Sequence, residues 1–201
     1  INKTMELPTR RTVLWGLLGT GMLACTGLAS RIFAGNNPLL RPPGAQDEVT
    51  FLSLCLKCDR CRSICPRDCI TTATIEDGLA NARTPRMDFH KGYCDFCGRC
   101  AEVCPTGAIA AYTDVPYQNI GLAVIDRNEC IAFQGRGCQK CFDACPYEAI
   151  ELNGSIPVVL EDACNGCGLC ENVCPSGSLL SFSGSRDRRG INVTVRDRVS
   201  S

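Results

Sequence analysis

Eighteen of the 201 residues are cysteine, and sixteen of them fall into four runs of closely similar spacing. The first run is Cys55, Cys58, Cys61 and Cys65, the second Cys94, Cys97, Cys100 and Cys104. The third is Cys130, Cys138, Cys141 and Cys145, the fourth Cys164, Cys167, Cys170 and Cys174, and each ends on a proline, Pro66, Pro105, Pro146 or Pro175. Three of the four read C-x2-C-x2-C-x3-C-P. In the third, Cys130-Ile131-Ala132-Phe133-Gln134-Gly135-Arg136-Gly137-Cys138 inserts five extra residues between the first two cysteines, so its loop must bulge. Thiolates about a turn apart wrap three irons of one 4Fe–4S cubane while backbone N–H groups point at sulfur. Gly98 and Gly168 permit close backbone approach. The fourth cysteine is expected to start a short helix, and the proline after it has no N–H to leave unpaired. Zinc sites space two C-x2-C pairs by a longer gap, and a disulfide framework needs neither a repeated register nor a proline after each fourth cysteine. The pattern predicts four 4Fe–4S clusters held by these sixteen cysteines.

In two-cluster ferredoxins the fourth cysteine of a run ligates the neighbouring cluster. Eighteen residues separate Cys145 from Cys164, a compact link that holds Asn153-Gly154 between apolar runs, a strong hairpin signal. Quartets three and four therefore pair, as do quartets one and two across a link ten residues longer, with a looser hairpin from Ile70–Ile75 to Arg86–Phe89. On that scheme Cys55, Cys58, Cys61 and Cys104 hold one cluster, and Cys94, Cys97, Cys100 and Cys65 the next. Cys130, Cys138, Cys141 and Cys174 hold the third, and Cys164, Cys167, Cys170 and Cys145 the fourth. A nested scheme, pairing quartet one with four and two with three, is the alternative. Cys25 and Cys69 belong to no quartet. Cys69 aligns with Ala108, Ala149 and Ser178 and reads as a small packing residue.

Little else in the chain offers chemistry. Formal charge is zero with cysteines neutral, and each oxidised cluster with four thiolates adds about −2, making the loaded protein acidic. No basic surplus points to nucleic acid. The single histidine, His90, reads as a hairpin-loop residue, and no glycine-rich dinucleotide loop occurs. No catalytic residue is assigned. An electron carrier without a substrate site of its own is expected.

The elements that must hold these quartets are short helices and β-hairpins, an α+β fold of two tandem bacterial ferredoxin-like two-cluster units preceded by one N-terminal transmembrane helix. Residues 1–34 contain Thr9-Arg10-Arg11-Thr12-Val13-Leu14-Trp15, a twin-arginine pattern, then nineteen uncharged residues between Arg11 and Arg31, just long enough to span a bilayer. Lys3, Arg10 and Arg11 before that run favour a cytoplasmic N-terminus, with the cluster units on the periplasmic side of the inner membrane and the cytoplasmic side as the alternative. Gly16, Thr20, Ala24 and Gly21, Cys25, Ala29 recur at four-residue spacing, which suits helix packing in a membrane. Residues 35–50, with Asn36-Asn37-Pro38 and Arg41-Pro42-Pro43-Gly44, read as an extended tether. Unit one is expected over 51–115, unit two over 116–183, and a tail over 184–201 whose Ile191–Arg196 alternates as a half-buried strand does.

The third quartet with its expanded first gap resembles that of the NapF/NapG ferredoxin-type family associated with periplasmic nitrate reduction, and of its methylamine-utilisation (MauM) relatives. The likeness extends through Arg41-Pro42-Pro43-Gly44, Cys55-Leu56-Lys57-Cys58-Asp59-Arg60-Cys61, Cys94-Asp95-Phe96-Cys97 and Cys164-Asn165-Gly166-Cys167-Gly168, roughly residues 41–182. The second quartet, regular here, looks nearer the NapF type. The resemblance implies electron transfer in a hetero-oligomeric complex, between a membrane quinol- or haem-linked subunit and a respiratory oxidoreductase. A NapF-like role, maturation of a molybdenum reductase by supplying or protecting clusters, is the alternative. The spanning-length apolar run after the arginine pair departs from that type.

Overall fold

The structure, a computed structural model, describes residues 38–112, 119–176 and 189–196. The twin-arginine segment, the expected transmembrane helix and Cys25 lie outside the described residues. Among the described residues no helix is long and apolar enough to cross a membrane.

The first unit begins with helix α1 (Glu48–Leu54). Asp47 caps it, accepting the Val49 N–H, and Glu48 sits in its first turn, where a negative charge suits the helix dipole. Helix α2 (Arg60–Ile64) and helix α3 (Arg99–Glu102) follow in the two quartets. Between them strands β1 (Ile70–Thr72) and β2 (Pro85–Met87) form an antiparallel pair with Ile70 opposite Met87. A proline is tolerated in β2 because a two-stranded sheet consists only of edges. The connection carries a 3-10 turn, Ile75–Asp77, closed by a capping box between Thr74 and Asp77.

The second unit repeats the plan with helix α4 (Lys140–Ala144), strands β4 (Ile150–Asn153) and β5 (Ile156–Val159), and helix α5 (Leu169–Asn172). Ile150 pairs with Val159 and Asn153 with Ile156. Gly154 supplies the positive φ that the Asn-Gly turn requires. A third antiparallel pair joins β3 (Leu122–Ile125) to β6 (Ile191–Thr194). The alternating C-terminal stretch thus packs on its own protein, with Ile191 and Val193 buried.

Two expectations need correction. The fourth cysteine does not start a helix: α2 and α4 instead stop there, with Cys65 and Cys145 in extended conformation at ψ 114 and 110. The proline that follows disfavours the helical region for the residue before it. Nor is the stretch before quartet one a free tether. Arg41 is 2 % exposed and pairs with Glu48 at 2.5 Å. It also donates to Thr84 Oγ1 at 2.8 Å, to the Pro85 carbonyl at 2.7 Å and to Asn81 Oδ1 at 3.1 Å. Its guanidinium lies 4.7 Å from the centroid of the Phe51 ring. Pro42 and Pro43 are fully buried, so the chain joins the first unit from Arg41 onward. One apolar cluster runs through both units, from Ala45 and Phe51 to Ile191 and Val193.

Candidate iron–sulfur cluster sites

The third cysteine of each quartet lies within a short helix, as Cys61 in α2, Cys100 in α3, Cys141 in α4 and Cys170 in α5, and all four are buried. A left-handed residue before three of these helices lets the preceding loop turn back: Asp59 before α2, Gly98 before α3 and Gly168 before α5. A Cβ on Gly98 would meet nothing within 4 Å, so its φ of +75° is the reason for glycine there.

Three concave sites are lined by these cysteines. One has Cys55, Cys58, Cys61 and Cys104 on its wall. A second is lined by Cys94, Cys97, Cys100, Cys65 and also Cys69. The third is lined by Cys164, Cys167, Cys170 and Cys145. In each, three cysteines come from one quartet and the fourth from its neighbour in the chain. The remaining four are linked through Gly190. Its N–H donates to Cys174 Sγ at 3.3 Å, and a Cβ on it would fall 2.7 Å from Cys130 Cα. Cys130 and Cys138 lie near enough to Cys141 for their charges to act on it.

None of the seventeen cysteines among the described residues is in a disulfide. Burial pushes Cys61, Cys141 and Cys167 up to about 11 and Cys100 up to about 12, with neighbouring cysteines adding to the rise. Such thiols resist ionising on their own; a cationic centre is what would hold them as thiolates. Backbone donors already face sulfur, as with the Ala149 N–H to Cys145 Sγ at 3.4 Å.

Two arrangements escaped sequence reasoning. Cys69 is 1 % exposed with its Sγ 3.6 Å from Cys65 Sγ. Hydrogen bonding from Cys69 holds the Cys65 thiol down at about 6, and also lowers Cys94. His90 reaches across to the second unit, its Nε2 3.2 Å from Glu171 Oε1. Glu171 also accepts the Val193 N–H at 2.6 Å, and burial pushes its carboxyl up to about 7. No spacing rule connects residues 81 positions apart.

Residues 54–108 and 123–180 match two different families, each described as a 4Fe-4S dicluster domain. Over 176 residues the chain is 37 % identical to the ferredoxin-type protein NapG of Escherichia coli K12, covering 79 % of this chain and 75 % of that one. The chain belongs to the NapG/MauM family of ferredoxin-type proteins. The methylamine utilization ferredoxin-type protein MauM of Methylorubrum extorquens is 34 % identical over 85 % of this chain and 86 % of its own. NapF of Escherichia coli K12 is 28 % identical over 71 % and 84 %, so across the whole alignment NapG is the nearer of the two despite the regular second quartet. This member is a ferredoxin-type iron–sulfur electron-transfer protein built from two tandem 4Fe–4S dicluster domains. Cysteines outside any disulfide, grouped four to a site with N–H donors at sulfur, are a donor set that fits such clusters.

Proposed function

We propose that this protein relays single electrons through four 4Fe–4S clusters, between a membrane quinol- or haem-linked subunit and a respiratory oxidoreductase. The observation that carries the reading is the threefold recurrence of a concave site walled by cysteines of two successive quartets. The ligand sets follow the same interleaving: Cys55, Cys58, Cys61 and Cys104; Cys94, Cys97, Cys100 and Cys65; Cys130, Cys138, Cys141 and Cys174; Cys164, Cys167, Cys170 and Cys145. When bound, the clusters supply one-electron redox chemistry at potentials set by hydrogen bonds to sulfur, burial and charge. The chain's own residues bury the thiols, aim N–H groups at them and keep the sites in one continuous body.

Protein purified without oxygen should carry iron and acid-labile sulfide in equal amounts, about sixteen of each per chain. Zinc in their place, or a quarter of that iron, rules the reading out. The relay itself is tested by reducing the clusters with a membrane donor and following their oxidation during turnover of the partner enzyme. Oxidation at the turnover rate supports the relay. Clusters that stay reduced throughout reject it in favour of a maturation partner of a molybdenum reductase.

Residues 1–34 serve, in this reading, as a twin-arginine export signal retained as an inner-membrane anchor, with the cluster units facing the periplasm. Deleting them should release the protein from membranes. Release of the full chain by high salt alone would mean peripheral attachment only.

A further inference from the structure

The two dicluster units meet along a seam built on the fourth quartet. The Cys94 N–H donates to the Cys167 carbonyl at 2.8 Å, tying the first cysteine of quartet two to the second of quartet four. Phe96 and Tyr147 meet edge to face across it, ring centroids 6.3 Å apart and planes at 86°. Phe89 packs so tightly on Gly168 that a Cβ there would fall 2.0 Å from its ring. Asn172 donates to the Phe89 carbonyl at 3.1 Å. Cys167 is accordingly buried at 8 % exposure, whereas Cys58 and Cys97, at the same place in quartets one and two, are exposed. Within each unit the helices pack in pairs, α2 on α3 and α4 on α5. Those pairs bring Cys61 toward Cys100 and Cys141 toward Cys170, near enough for their charges to interact.

We propose that the Cys94–Cys167 seam is where electrons cross between the two units, so that the four quartets act in the order one, two, four, three and not in chain order. The inference rests on the relay reading and on the ligand sets given with it. Electron tunnelling weakens exponentially with separation, so the closest approach between units decides the route. Here a direct backbone hydrogen bond joins a cysteine of quartet two to one of quartet four. At the crossing one electron leaves the ligand set of Cys94 and enters that of Cys167, or the reverse. One side is oxidised by one electron and the other reduced by one; no bond to the chain forms or breaks, and no proton is required. Quartets one and three are then the two ends of the wire. Cys58 is exposed at one end, and the expanded loop 131–137 flanks the other. Donor and acceptor would therefore dock at opposite ends.

Crystals of the full-length wild-type protein, loaded with iron, decide the order by anomalous scattering at the iron edge. The closest pair of clusters drawn from different units is expected to be the pair held by the Cys94 and Cys164 quartets. Any other closest pair overturns the proposal. The second measurement is the magnetic interaction between reduced clusters, read by electron paramagnetic resonance. Gly168→Val forces Phe89 away without removing a ligand and should weaken the interaction between units. Gly135→Val, at an equally left-handed glycine in open space, should leave it unchanged. Equal spectra from the two variants, each with a full iron complement, would also reject the seam as the crossing. If Gly168→Val loses iron, the wild-type iron positions alone decide between the two orders. Neither measurement involves a partner, so failure of the relay in turnover and failure of this order remain distinguishable.

Discussion

Among single residues, Cys69 departs furthest from what its sequence position suggests. Alignment with Ala108 and Ala149 makes it a small packing residue, yet its sulfur lies 3.6 Å from Cys65 Sγ and lines the second cavity. A buried thiol beside a ligand thiolate donates an S–H···S hydrogen bond, and such bonds stabilise the reduced, more negative form of a cluster. Cys69→Ala should therefore keep the full iron content while lowering the midpoint potential of one cluster. A hydrogen bond worth about 1 kcal/mol corresponds to about 40 mV for one electron. Cys69→Ser, which keeps a donor, should shift it less. A potentiometric titration followed by paramagnetic resonance reads both variants; loss of a whole cluster would instead make Cys69 a ligand. Spacing along the chain puts Cys69 next to the quartets but does not say which atoms it faces, because that depends on how the first hairpin folds back over Cys65.

Elements explain why some of the site was legible and some was not. The four quartets and both hairpins follow from local signals: spacing, proline and the Asn-Gly turn, each acting within a few residues. Arg41 had no such signal, since its partners Glu48, Asn81, Thr84 and Pro85 lie up to 44 positions away. A proline-rich stretch looks like a tether until a buried arginine clamps it to α1 and β2. Arg41→Ala would strip several buried acceptors of their donor, and should destabilise the loaded protein by about 3 kcal/mol. The midpoint of thermal bleaching of the visible cluster absorbance measures this; a change below about 0.5 kcal/mol, typical of surface substitutions, would mean the clamp is idle. Gly190 is the corresponding device at the other end of the chain. A Cβ there would lie 2.7 Å from Cys130 Cα and 2.7 Å from Ser176 Oγ. Gly190→Ala should cost about 1–3 kcal/mol through overpacking and lower the midpoint of thermal bleaching, with the iron content unchanged under native conditions. An unchanged midpoint would argue against a packing role.

The molecule as a whole is held by its thiols as much as by its apolar side chains. Seven of the twenty-five buried apolar residues among those described are cysteines, and the core cluster passes through both units without a break. Aromatic content is only 6 %, so filling the cysteine-lined cavities must supply much of the folding free energy. Without iron, the raised thiols of Cys61, Cys100, Cys141 and Cys167 would sit neutral around empty space. Two ferredoxin units tethered as separate beads would lose clusters and structure in two steps. A shared core predicts one step, because opening the seam at Phe89 and Gly168 exposes Cys167 at the same time as it uncovers the first unit. Titration with an iron chelator in mild denaturant should therefore show coincident loss of cluster absorbance and far-ultraviolet dichroism, in a single transition with all the iron released together. Two resolved transitions, each releasing half the iron, would show that the units are stable on their own and that the seam is only a contact.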